Sequence, residues 1–404
     1  MISVEEARDR ILGALKPTSA ETVPLSDGWG RVLARPVAAR LTQPPADVSA
    51  MDGYAVRAAD AGLGARLSVV GAAPAGHPFA GTVGPGQAVR IFTGAFVPDG
   101  ADGILLQEDA EAAGAEVRVT EAVKPGRWIR RRGLDFAEGE MLLAPGRRLT
   151  ARDVGLAAAA NHPWLTVHRR PRIGILATGD EIALPGDPLP PGGIVSSNAH
   201  ALAAVVRAGG GDPLVLPIAP DDRDSIAEAA AAARICDLLV TTGGASVGEH
   251  DLVQAALGQA TGQEFTLDFW KIAMRPGKPL IWGRLGATPV LGLPGNPVSA
   301  LVCAVQFLVP ALAVLSGAPA GPPPTILVRA GAALPENDRR FDHLRGTLAE
   351  DRDGRMVATP FPMQDSSMLK TLARAEALIL RPPFAPAVPA GAEILAIPLD
   401  RIGL

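Results

Sequence analysis

From residue 172 to 316 short β-rich runs alternate with Ala-rich helical ones: RIGILATG (172–179), NAHALAAVVRAGGG (198–211), PLVLPIAP (213–220), DDRDSIAEAAAAARI (221–235) and CDLLVTTGG (236–244). Strands that are apolar throughout, joined by crossover helices, predict a parallel sheet covered on both faces. Ligands of such sheets bind beyond the carboxyl ends of the strands. That geometry puts four loops on one edge: ATGDE (177–181), APDD (219–222), TTGGASVGEHD (241–251) and LGLPGNP (291–297).

At 404 residues the chain exceeds one hydrophobic core, and the rest of the sequence divides around this unit. Residues 42–134 carry short runs and Asp-Gly turns, which predict a β-rich insertion. Segments 1–41 and 135–170 carry helical and strand patterns and are expected to form one discontinuous, helix-rich domain. Ser3 and Glu6 have capping-box spacing ahead of Val4, Ala7, Ile11 and Leu15. The α/β domain spans 171–320. After the Pro-rich GAPAGPPP, residues 321–404 predict a small β-barrel-like domain.

A net charge of −4 disfavours a protein that coats nucleic acid. The apolar stretch 298–315 is broken by Ser299, Gln306 and Pro310 and is expected to be a buried helix, not a membrane span. The N-terminus lacks a secretory pattern, and Cys236 and Cys303 lie in apolar runs, so a reducing, cytoplasmic setting is expected. The histidines form no zinc-spaced cluster.

The loops carry the chemistry. In TTGGASVGEHD, Gly243 and Gly244 free the backbone to aim N–H groups inward, while Thr241, Thr242 and Ser246 add hydroxyls. A phosphate can be held there without a basic residue; a tight strand-to-helix turn explains the glycines equally well. Asp180, Glu181, Asp221, Asp222 and Asp251 share that edge, where they suit Mg²⁺ facing a polyphosphate or, alternatively, helix capping. Asn296 and Pro297 predict a capped helix N-terminus, an anion site by geometry. Lys271, Arg275 and Lys278 bring positive charge around a Pro-Gly turn.

In order, SAMDGYAV (49–56), FTGAFVPDGAD (92–102), RRRGLD (130–135), ATGDE, SSN (196–198), GGASVGEHD, RPGKP (275–279) and GLPGNPVSA (292–300) resemble the molybdopterin molybdenumtransferase family, which includes bacterial MoeA and the E-domain of gephyrin. The resemblance implies insertion of molybdate into adenylylated molybdopterin, with Mg²⁺-dependent hydrolysis of the adenylate and release of AMP. It implies a homodimer whose site lies between the α/β domain of one subunit and the insertion of the other. It further implies exchange with an upstream adenylyltransferase and downstream molybdoenzyme chaperones. By position, Glu181, Asp221 and Asp251 serve Mg²⁺ and pyrophosphate. Gly243, Gly244 and Ser246 cradle phosphate. Lys271, Arg275 and Lys278 hold molybdate or phosphate, with Pro294 and Pro297 shaping the adjoining loop. Asp52, Thr93 and Asp135 come from across the dimer, and Arg345 and Ser366 face the cleft. Arg275 stands where the family commonly has lysine. Two other readings are a molybdopterin adenylyltransferase, whose single domain resembles 172–316, and a non-catalytic scaffold.

Overall fold

The computed structural model describes residues 1–222, 224–226, 228, 233–243 and 265–402. Its central sheet has six strands in the order Asp212–Val215, Arg172–Ala177, Leu238–Thr242, Thr288–Leu293, Ile281–Leu285, Phe265–Trp270. The first four run parallel, as the alternating pattern predicts. The last two are antiparallel additions at one edge, which the sequence reading did not anticipate. Only Gly286 and Ala287 separate Leu285 from Thr288, and a two-residue link closes a hairpin but cannot make a parallel crossover.

The helix Pro297–Leu315 passes through the centre of the molecule, with 83% of its apolar window buried. It is long and apolar enough to cross a membrane, yet its surface is occupied by the fold. Residues Ala304–Leu308 form a π-helical turn just ahead of Pro310, whose ring supplies no N–H to the helical ladder.

The N-terminal helix Val4–Ala14 packs somewhere other than expected. Val4, Ala7, Ile11 and Leu15 bury themselves in the core that holds Ile173, Leu202 and Phe307, alongside the α/β domain rather than the 135–170 segment. Ser3 caps this helix by accepting from the Glu6 N–H at 3.0 Å, but the Glu6 carboxylate turns to Arg10 at 2.6 Å. A full capping box occurs instead at Thr150 and Asp153. The strand Ala20–Pro24 pairs with Trp164–His168, and Val37–Ala38 with Met141–Leu143, so the chain returns to its start after residues 42–134.

Those intervening residues build a six-stranded sheet with Gly53–Val56 between Gly103–Leu106 and Gln87–Ile91. At the C-terminus Phe341–Glu350 pairs with both Met356–Pro360 and Ala377–Arg381, which closes the strands into a small barrel.

Where that barrel meets the central helix, His343 is 1% exposed. Arg8 donates to Gln306 Oε1 at 3.1 Å, so the Gln306 amide nitrogen, 2.9 Å from His343 Nε2, is the donor and the imidazole must accept. Burial holds the His343 pKa down to about 4 from its ordinary 6.5. The unfolded chain therefore takes up a proton below about pH 6.5 that the folded one refuses until about 4, and stability present above 6.5 drains away across that window. The full effect is on the order of 3 kcal/mol. Urea denaturation at pH 7 and 4.5 should show a smaller acid loss for His343→Gln than for the wild type. Equal losses would remove His343 as the cause.

Candidate functional site

Four strand ends of the central sheet converge on a cavity of about 620 Å³. Glu181, Asp221, Gly243, Pro294 and Pro297 all line it, together with Thr178, Asn198 and Ser299. The loops gather there because each follows a parallel strand: Thr178 follows Ala177, Gly243 follows Thr242, and Pro294 follows Leu293.

Hydrogen bonds fix the mouth of the cavity. Asn198 Nδ2 donates to Thr242 Oγ1 at 2.8 Å and to the Gly295 carbonyl at 2.6 Å, bracing one loop against the other. The Gly295 carbonyl can only accept, so the Asn198 amide orientation is settled. Asp180 accepts from the Asp221 N–H at 3.0 Å, which sets the 219–222 loop beside the 177–181 loop. Asp222 is instead capped by Ser225, whose side chain and N–H, the latter at 2.9 Å, donate to its carboxylate and hold it below the usual range. Gly243 has φ +96°, and a Cβ there would lie 2.5 Å from the Thr178 carbonyl oxygen. Only glycine permits that approach.

Two carboxylates, Glu181 and Asp221, thus face one cavity. Among the described residues no group of three His, Cys, Asp or Glu side chains converges. Two carboxylates nonetheless fit Mg²⁺, which completes its shell with waters and substrate phosphate. Gly244, Ser246 and Asp251 lie outside the described residues, as do Glu249 and His250.

Other expected residues are placed differently. Arg275 is engaged by Asp342, Asp338 and Asn337 of the C-terminal barrel, and its charge is shared with carboxylates rather than turned to the cavity. Arg345 is 1% exposed, donates to the Asp365 carbonyl at 3.0 Å and does not line the cavity. Ser366 works through the loop: its hydroxyl accepts from Asn296 Nδ2 at 3.1 Å and its carbonyl from the Val298 N–H at 3.2 Å. Asn296 therefore gives no side-chain cap, and one N–H of the helix end is already bound. Ser367, the next residue, lines the cavity. The Lys271 ammonium lies 3.4 Å from the centre of the Trp270 ring, with Lys271 at φ +74°. Lys278 is exposed, adjacent to the cavity-lining Pro279.

Asp52 and Thr93 form a separate cluster in the insertion. Asp52 Oδ1 accepts from the Thr93 N–H and hydroxyl, both at 2.7 Å, and these bonds hold its carboxyl below the usual range. Arg90 stacks over Tyr54 and Phe92 at 5.1 and 5.0 Å and donates to the Gly53 carbonyl at 3.1 Å. Asp135 is exposed, with its N–H bound to the Gln43 carbonyl at 3.0 Å. None of Asp52, Thr93 and Asp135 lines the cavity of their own chain.

The fold and cavity define a multidomain α/β protein with a carboxylate-lined cavity at the strand ends of its central sheet. Residues 174–314 match the family model for a probable molybdopterin binding domain, 2–161 that for the MoeA N-terminal region (domain I and II), and 328–399 that for the MoeA C-terminal region (domain IV). The molybdopterin molybdenumtransferase of Haemophilus influenzae is 33% identical over 100% of both chains. Molybdopterin molybdenumtransferase 2 of Mycobacterium tuberculosis is 37% identical over 98% of each. A crystal structure of the molybdopterin biosynthesis MoeA protein from Pyrococcus horikoshii superposes with a TM-score of 0.84 at 29% identity, covering 98% of this chain and 99% of that one. The chain belongs to the molybdopterin molybdenumtransferase family, a family of transferases.

Sequence reasoning did not single out Thr178 or Asn198 as site residues. Both stood inside quoted motifs, ATGDE and SSN, but their types alone give no sign that one braces two loops and that the other lines the cavity with a buried, unpartnered hydroxyl.

Proposed function

We propose that this protein inserts molybdenum from molybdate into adenylylated molybdopterin, hydrolysing the adenylate and releasing AMP. The observation that carries this reading is the meeting of Glu181, Asp221, Gly243 and the Pro294 loop on one cavity large enough for a pterin-sized substrate. The flanking family matches at 2–161 and 328–399 weigh against a single-domain adenylyltransferase.

In the hydrolysis a water oxygen bonds one phosphorus, the bridging P–O bond breaks, and AMP leaves with the bridging oxygen. The proton given up by the water passes to solvent or a carboxylate. Glu181 and Asp221 would hold Mg²⁺, which would offset charge on the phosphates and their leaving group. The chain's own work is orientation: glycine backbone at 243 lets a phosphate approach closely, and the Asn198 brace keeps the walls apart at a fixed spacing. Asp52, held ionised by Thr93, is a weak base, suited to positioning the water rather than drawing its proton. Asp251 is the alternative carboxylate for that role.

Because Asp52, Thr93 and Asp135 stand apart from the cavity of their own chain, the reading places them in the site of a second copy in a homodimer. Exposed Met51, Phe92, Phe96 and Trp128 near this cluster supply apolar surface for such a contact. The reaction belongs in the cytoplasm, where free thiols such as Cys236 and Cys303 persist.

Glu181→Gln tests the metal assignment. Even partners one shell out from a metal cost about tenfold in affinity when removed, so the variant should need at least roughly tenfold more Mg²⁺ for half-maximal AMP release. An unchanged Mg²⁺ requirement would contradict the assignment of Glu181.

A further inference from the structure

Two threonines stand side by side at the strand ends, and the fold uses only one of their hydroxyls. Thr178 and Thr242 are each 3% exposed, and the Thr178 N–H donates to the Thr242 carbonyl at 3.2 Å. Thr242 Oγ1 accepts from Asn198 at 2.8 Å and lies 3.5 Å from the Pro294 carbonyl, to which it donates. Thr178 Oγ1 has no hydrogen-bond partner among the described residues. A buried hydroxyl left unpaired is costly, and it calls for a partner that the fold does not supply.

The surroundings say what that is. Thr178 lines the cavity with Gly179, Glu181 and Gly243. Its hydroxyl is buried and lies 3.1 Å from where a Cβ on Gly243 would stand, so any side chain at 243 would crowd it. Asn198 already uses its amide on Thr242 and Gly295 and does not compete for Thr178.

We infer that Thr178 Oγ1 is a substrate-binding group, donating its hydrogen bond to a phosphate oxygen of the bound nucleotide-bearing substrate over the bare Cα of Gly243. This rests on the reading of the cavity as the adenylate site and adds to it a contact that neither glycine nor carboxylate supplies. The hydroxyl remains undischarged in the free protein and is satisfied on binding, so its removal helps the empty fold and harms the complex.

Thr178→Val and Thr178→Ser separate these effects. Valine keeps the shape and removes the hydroxyl; serine keeps the hydroxyl and removes a methyl. The inference predicts that Thr178→Val has a Tm at or above the wild type, higher by about 2 °C, and binds AMP about tenfold more weakly by calorimetry in Mg²⁺. Thr178→Ser should bind AMP as the wild type does while melting at or below it. If Thr178→Val binds AMP as tightly as the wild type, the hydroxyl serves only a trapped water and the inference is wrong. If Thr178→Val loses both Tm and affinity while serine restores both together, the hydroxyl is structural, which overturns it equally. AMP binding is read without turnover, so a wild type that binds AMP but releases none from adenylylated molybdopterin would defeat the proposed reaction and leave this contact standing.

Discussion

Gly243→Ala should reduce AMP release on the order of a hundredfold or more while leaving the fold intact. At φ +96° an alanine is strained by about 1 to 3 kcal/mol before any contact is counted. Its Cβ would then meet the Thr178 carbonyl oxygen at 2.5 Å, a backbone atom that cannot swing away as a side-chain tip can. Relief requires the loop after Thr242 to part from the one after Ala177, and a shift near 1 Å at a positioned phosphate costs about 100-fold. The disturbance is confined to the strand ends, since the core beneath, with Val240, Ile175 and Leu291 fully buried, is untouched. Steady-state AMP release with circular dichroism as a control decides it. Turnover within a few-fold of the wild type would show that close backbone approach at 243 is not needed.

The second large effect concerns which chain completes the site. Asp52→Asn and Asp221→Asn should each lower AMP release by roughly 100-fold as homodimers, a typical cost of losing a group that positions reactants. Asparagine at 52 can still accept from Thr93, so the local turn survives. A heterodimer isolated through two affinity tags, one chain carrying each substitution, should recover about half the wild-type rate per dimer, because one of its two composite sites is intact. If each site lay within one chain, both sites of that heterodimer would be damaged and its rate would stay near that of the homodimers.

The sequence made the parallel strands and their loops legible because apolar runs and crossover helices report directly on a two-faced sheet. The antiparallel edge was hidden, since Phe265–Trp270 and Ile281–Leu285 have the same apolar character as parallel strands and only the short Gly286 link betrays the hairpin. The N-terminal helix was legible as a helix but not in its destination, because a stripe of Val4, Ala7 and Ile11 fits any apolar groove. Charge misled more than shape. Arg275 read as an anion ligand by type and Arg345 was placed at the cleft by the resemblance, yet Asp342 takes up one guanidinium and burial against the Asp365 carbonyl takes the other. Long-range partners of that kind, separated by 67 and 20 residues, leave no local signature. For Glu181, Asp221, Gly243, Pro294 and Pro297, position at the strand ends was enough to bring them to one cavity.

The central claim is that this cavity couples molybdenum insertion to cleavage of the adenylate. Purified protein supplied with adenylylated molybdopterin, Mg²⁺ and molybdate should release AMP in step with the formation of molybdenum cofactor, and the Asp221→Asn protein should release almost none. No AMP from the wild type, or equal AMP from wild type and Asp221→Asn, would contradict the account.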